Sequence, residues 1–249
     1  MEHNLVEAVY YINMDKSVER RQLMQKVLKD EVFDSMDKHR ITGVDGTRKD
    51  ILPYLESNLK NIKITKTFTA KTYACLLSHL NTLLEFSKSK YNIALILEDD
   101  LSLEYKKYWQ EDLNTCVRNA PSDWEILQLY YLCKIPKQLY TPWNNHSSMV
   151  AYIVNKKGVQ SFLKQHYTTL FTLDKHTLHV SDYYIYKYMK TYVYKYPFFT
   201  TTSKDSFIHS NHVKTIHIPC KQKVKNMLQK RKERKTKKRY PKNEIRVLE

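Results

Sequence analysis

The segment that most constrains the fold is residues 92–100, NIALILEDD. Its first six residues form an apolar run of strand length, suited to burial on both faces of a sheet. Glu98, Asp99 and Asp100 follow with no spacer. Three adjacent carboxylates cannot lie inside such a strand, so they mark its end. In open α/β sheets that is the edge where ligands bind.

The surrounding pattern agrees with an α/β architecture. Residues 6–12 (VEAVYYI) are β-branched and aromatic and predict a first strand, with a polar exit over 13–16. Ser17 is placed to cap a helix running to Asp30, with Glu19 in its first turn. Tyr73, Leu76, Leu77, Leu80, Leu83 and Leu84 fall at helical spacing and predict a helix over 69–86. Further strands are expected at 125–129 and 149–154, and helices at 105–118, 156–166 and 181–189. This alternation predicts a mainly parallel central sheet covered on both faces. There is no internal repeat and no G-x-G-x-x-G or Walker signature. With glycine only at 43, 46 and 158, a glycine-rich phosphate cradle is excluded.

Composition narrows the class. A chain of 249 residues that is 42% hydrophobic can bury a real core. Its mean hydropathy of −0.62 and lack of a long apolar run exclude an integral membrane protein. Residues 1–13 lack the charged-then-apolar order of a secretion signal, so a cytoplasmic protein is expected. Cys75, Cys116, Cys133 and Cys220 form no CxxC pair, which predicts free buried thiols. The net charge of +16 is concentrated: residues 221–242 carry +11 and the other 227 residues only +5. A mildly basic domain followed by a strongly basic tail differs from a basic nucleic-acid-binding fold. The boundary is expected near Pro219, giving a catalytic domain over 1–219 and a tail over 220–249.

Carboxylates grouped at a strand end can hold a hard divalent cation through oxygen. Such a cation would neutralise a diphosphate and make it a better leaving group. A solvated acidic turn would look the same in sequence. Ser78 and His79 are adjacent on one helix and make no hydrolase pair. His209, His212 and His217 invite a zinc reading, but H-x-x-H without further ligands at spacing is a weak signal. Asn145-His146-Ser147 has the form of a glycosylation sequon, with no meaning in a protein that is not secreted. The twenty tyrosines fit packing as well as sugar stacking, and none is assigned to an acceptor.

Taken in order, several segments resemble glycosyltransferase family 25, which includes lipooligosaccharide and collagen galactosyltransferases. YYINMDKSVERR (10–21) is similar to its first strand, turn and double-Arg helix start, and RITGVDG (40–46) to its Val-Asp-Gly segment. CLLSHLNTL (75–83) resembles its Cys-x-x-Ser-His helix and LILEDDL (95–101) its acidic strand end. DWEIL (123–127) and AYIVNKKGVQSFL (151–163) are like its next two segments. Met14 and Lys16 depart mildly from the family pattern. Lys71 and Ala74 stand where glycines are usual, which puts donor geometry in question more than reaction class.

The resemblance implies a GT-A-like nucleotide-sugar-binding domain that moves a hexose, galactose or glucose, from a UDP-sugar with inversion. The acceptor would be a hydroxyl of a glycan, a lipid-linked glycan or a modified protein. It implies donor contacts from Asn13, Arg20, Arg21, Asp45, His79, Glu98 and Asp99. Mn2+ or Mg2+ would be held by Asp100 and Glu98, with His209 and His212 as further ligands. Asp182, in VSDYYIY, matches an Asp of the family and is the expected base, although a helix cap is an equal reading. The tail would hold the enzyme peripherally at an anionic membrane. The competing function is a catalytically inactive GT-A-like scaffold whose basic tail binds nucleic acid or another anionic surface. Such a scaffold has no use for Glu98, Asp99, Asp100 and Asp182 together.

Overall fold

We describe residues 4–132, 134–202 and 218–239 of a computed structural model, with side chains to residue 235 in the last segment. The elements are β1 (Ala8–Asn13), α1 (Val18–Val27), β2 (Asp37–Thr42), α2 (Ile51–Asn58), β3 (Leu59–Lys60), α3 (Ala70–Lys88), β4 (Ile93–Glu98) and β5 (Leu101–Ser102). They continue as α4 (Leu113–Arg118), β6 (Ile126–Gln128), β7 (Tyr140–Pro142), β8 (Ala151–Asn155), α5 (Lys156–His166), β9 (Phe171–Thr172), α6 (Ser181–Tyr188), β10 (Thr191–Tyr194), β11 (Thr200–Thr201) and α7 (Ile218–Arg239).

Seven strands form the central sheet in the order β2-β1-β4-β8-β6-β10-β7. β2, β1, β4, β6 and β10 share one direction; β8 and the edge strand β7 run against it. The expected α/β class and mostly parallel sheet are therefore met. β8 runs antiparallel to both of its neighbours. Its first four residues are buried, and a strand covered on both faces reads the same in either direction.

Alternation along the strands builds two layers. Ala8, Tyr10 and Ile12 of β1 pack with Ala94 and Ile96 of β4 under α2, α3, α5 and α6. Val9 and Tyr11, with Leu95 and Leu97, pack on the other face under α1 and α4. The longest helix of the first layer, α3, begins with a reciprocal cap between Thr69 and Thr72 and buries Tyr73, Leu76, Leu77, Leu80 and Leu83. Each such side chain contributes on the order of 1.5–3 kcal/mol. Gly46, in the loop after β2, lies so close to α3 that a Cβ there would meet the Lys71 Cα at 2.6 Å. That approach sets the loop against the first turn of α3.

Three expectations are corrected. The helix expected over 105–118 is broken: Lys106–Tyr108 is a 3-10 turn, and α4 starts afresh because Asp112 accepts a bond from the Thr115 amide at 2.6 Å. The thiols are not all free, since Cys220 is disulfide-bonded, while Cys75 and Cys116 are free. The basic tail does not leave the fold at Pro219. That residue lies in the first turn of α7, and Val224 and Leu228 are buried against Tyr105, Tyr108, Tyr131 and Val193. Ion pairs from Lys221 and Lys225 to Glu104 and from Arg231 to Glu111 flank the apolar contact. Among the described residues no helix is long and apolar enough to cross a membrane.

Candidate functional site

Parallel pairing of β1 and β4 sets Ile12 beside Glu98, so the two strands end together. The polar exit of β1 is thereby brought against Glu98, Asp99 and Asp100, with α3 crossing above and residues 43–47 closing one side. A cavity of about 190 Å³ opens there. Of the residues expected from sequence, Arg20, Asp45, His79, Glu98, Asp99 and Asp100 line it.

The three acids differ sharply in what surrounds them. Asp99 is a brace: one carboxylate oxygen accepts from Asn13 Nδ2 at 2.7 Å and the other from Arg20 Nη1 at 2.9 Å. Asn13 is only 1% exposed and lies beneath the cavity, where its Oδ1 accepts from Arg40 Nε at 3.2 Å. Arg40 also binds the Asn13 carbonyl and the Asp15 carboxylate. Arg21 does not line the cavity.

Asp100 is left open at one oxygen. Its Oδ1 is buried without a hydrogen bond, and burial together with the nearby charge of Glu98 raises its proton affinity well above the usual carboxylate range. The backbone is fixed, since the Thr202 amide donates to the Asp100 carbonyl at 2.8 Å. An orphaned carboxylate oxygen beside a second carboxylate, at the floor of an accessible cavity, fits a divalent cation. Glu98 meets His79 Nε2 at 3.1 Å, and His79 Nδ1 meets the Tyr152 hydroxyl at 3.1 Å.

Asp45 lies at the cavity's lip. Burial opposes its ionisation, but bonds from Lys16 and Thr47 outweigh it and hold the carboxyl down to about 2. Lys71, exposed on the first turn of α3, also lines the cavity. Cys75 lies on the same wall; burial, and then Glu98, push its thiol up to about 12. Its Sγ is 3.5 Å from Ser181 Oγ, which brings the N-terminus of α6 to the rim.

Asp182 follows Ser181 in that first turn and does not line the main cavity. It accepts bonds from the amides of Ser148 and Tyr183, each at 2.8 Å, and burial raises its proton affinity. Ser148 has φ 115°, a strained value for a side-chain-bearing residue, and Tyr186 and Gln128 also bind its carbonyl. His209 and His212 lie outside the described residues.

Sequence reasoning passed over Cys75, Tyr152 and Arg40. The i, i+4 spacing of Cys75 and His79 was available as a signal. Tyr152 was not, because only the pairing of Ile96 with Tyr152 across β4 and β8 sets it behind His79.

A sequence profile described as glycosyltransferase family 25 (LPS biosynthesis protein) matches residues 6–177, a span that ends before Asp182 and α7. No curated protein matches the chain. Among solved structures, a glycosyltransferase involved in the glycosylation of the major capsid of PBCV-1 is similar at 10% identity, over 76% of this chain and 92% of that one, with a TM-score of 0.33.

Proposed function

Because this chain belongs to glycosyltransferase family 25, we propose that the cavity at the end of β4 binds a UDP-sugar and that the enzyme transfers its hexose, galactose or glucose, with inversion. The acceptor is a hydroxyl of a glycan, a lipid-linked glycan or a modified protein. One observation carries this reading: Asp100 Oδ1 is buried, unpartnered and next to Glu98 at the floor of the cavity. Mn2+ or Mg2+ held by Asp100 and Glu98 would supply charge neutralisation at a departing diphosphate.

The chain's own residues supply the rest. Lys16, Arg20 and Lys71 line the cavity and favour an anionic ligand there. Asp99 cannot be spared as a ligand without breaking the link from β4 to Asn13 and Arg20, so its role is to hold the strand ends in place. Inversion requires the acceptor oxygen to attack the anomeric carbon from the face opposite the diphosphate. The acceptor's proton then passes to a carboxylate on that side. Asp182 supports this role: it is fixed by two backbone amides, and burial raises its proton affinity, which strengthens it as a base. Lys223, Lys230 and Arg234, exposed along α7, are proposed to hold a cytoplasmic enzyme against an anionic membrane that carries its acceptor.

A panel of UDP-, GDP- and CMP-sugars, with Mn2+ or with EDTA, tests the reading by turnover and thermal shift. UDP-hexose turnover that disappears in EDTA is the expected result. Full turnover in EDTA, or preference for a CMP-sugar, overturns it.

A further inference from the structure

The wall of the cavity carries a second donor set, of which the glycosyl-transfer reading uses only Glu98. Cys75 and His79 are one helical turn apart on α3, so their side chains share a face. Glu98 faces them from the end of β4. The Cys75 Sγ, a ring nitrogen of His79 and a carboxylate oxygen of Glu98 all lie within 4.8 Å of one another. All three residues line the cavity, so an ion has a path to them.

We propose that Cys75, His79 and Glu98 form a site for a thiophilic divalent cation, Zn2+ above all, distinct from the oxygen-ligand site at Asp100 and sharing Glu98 with it. A thiol, an imidazole and a carboxylate are the ligand types that select zinc over magnesium or manganese. Three protein ligands with one open position is the arrangement of accessible zinc sites. The carboxylates of Glu98, Asp100 and Asp182 all make the potential at the sulfur more negative, which favours a dication.

The outer partners fit as well. With no ion, His79 Nε2–H donates to Glu98 and Nδ1 accepts from the Tyr152 hydroxyl. With an ion on Nε2, the ring proton sits on Nδ1 and donates to the same hydroxyl oxygen. A tyrosine hydroxyl both donates and accepts, so it serves either tautomer without moving. On binding, the sulfur–metal bond replaces the S–H bond, and the thiol proton leaves to water. Occupancy draws Glu98 away from the oxygen-ligand site, so Zn2+ inhibits sugar transfer supported by Mn2+.

Cobalt(II) titration of the whole protein under reducing conditions provides the test. Thiolate ligation is read as a near-ultraviolet charge-transfer band, independent of any enzymatic activity. The band is expected in the native protein and in Asp100→Asn, absent in Cys75→Ser, and weakened in His79→Gln. Metal-free melting curves establish that each variant is folded. Cys116→Ser serves as the control thiol and should retain the band. No band in the native protein, or a band that survives Cys75→Ser, overturns the site. A band lost in folded Asp100→Asn also overturns it, because the sulfur-bound ion would then depend on Asp100 and the two sites would not be distinct. Failure of the donor reading looks different: the cobalt band persists while no nucleotide sugar is turned over. Zinc titration in the presence of Mn2+ should show inhibition that weakens about tenfold or more in Cys75→Ser.

Discussion

The end of β4 and the face of α7 are both densely charged, yet they handle charge in opposite ways. At β4, carboxylates are drawn into the fold, and one oxygen of Asp100 is left with no partner. On α7, the cations nearest the fold are paired at its edge, Lys221 and Lys225 with Glu104 and Arg231 with Glu111. Val224 and Leu228 go under, together with Cys220 in the first turn. Buried, unsatisfied charge costs stability and persists where a ligand completes it, whereas paired surface charge costs little and signals little. The comparison supports the proposal that chemistry lies at β4, while α7 is a helix held to the fold by an apolar contact flanked by ion pairs.

The largest expected effect lies in the cavity. Asp100→Ala should lower transfer from the nucleotide sugar by about a thousandfold, as expected when charge stabilisation at a leaving group is removed. The metal-free fold should survive, because Asp100 Oδ1 makes no bond to lose. Near-wild-type kcat would end the contrast between the two regions. Asp182→Asn comes next, with kcat down about a hundredfold or more. Asparagine can still accept from the Ser148 amide, so donor binding, followed by calorimetry, should be kept. Loss of donor binding would instead assign Asp182 to the fold around the strained Ser148.

The same contrast explains what could be read from the chain before its fold was known. β1, α3, β4, β8 and α5 announced themselves because burial on one or both faces leaves an apolar pattern. β2 did not: DKHRIT is an edge strand with no fully buried residue, and its polar residues conceal it. The acidic end of β4 marked the site, but adjacency could not distinguish Asp99, consumed as a brace, from Asp100, left open. That difference depends on Asn13 and Arg20, which lie 86 and 79 residues away from Asp99. The +11 segment read as a basic tail set apart from the domain because charge count dominates composition. Its three-residue stripe of Val224, Met227 and Leu228 carried the docking information instead.

On the α7 side, Leu228→Ala should destabilise the protein by about 2–4 kcal/mol, since a buried leucine is replaced by a cavity. Melting should fall by about 4–16 °C in a chain of this size. Turnover at low temperature should be almost unaffected. An unchanged melting temperature would mean that the disulfide at Cys220, and not the stripe, keeps α7 seated.

The response to pH also separates the regions. Asp100 has its proton affinity raised in the fold, to about 7, so its contribution to metal-free stability is present at acid pH and is lost as pH rises through that value. A cation competes with that proton. Apparent Mn2+ affinity, read by thermal shift, should therefore rise by up to about tenfold per pH unit below neutrality and level off above it. A flat profile between pH 6 and 8 would show that Asp100 is not the group displaced.

The smallest expected effect is at Glu104, where the two regions differ most in kind. Hydrogen bonding from Lys221 holds the Glu104 carboxyl below its ordinary range, with burial opposing and Lys225 adding to the effect. A depressed carboxylate contributes stability above its unfolded value and loses it as pH falls through the folded one. Glu104 is nevertheless about one third exposed, as is Lys225, so water and salt screen the pair. Glu104→Gln should cost less than about 1 kcal/mol at low salt and almost nothing at 0.5 M, roughly where the screening length falls below the reach of these side chains. Leu228→Ala should keep its full cost at both salt concentrations, because apolar burial is not screened. If the two variants instead cost the same, or both lose their cost in salt, α7 is held by its charges, and the division between buried chemistry and paired surface charge fails on this side of the molecule.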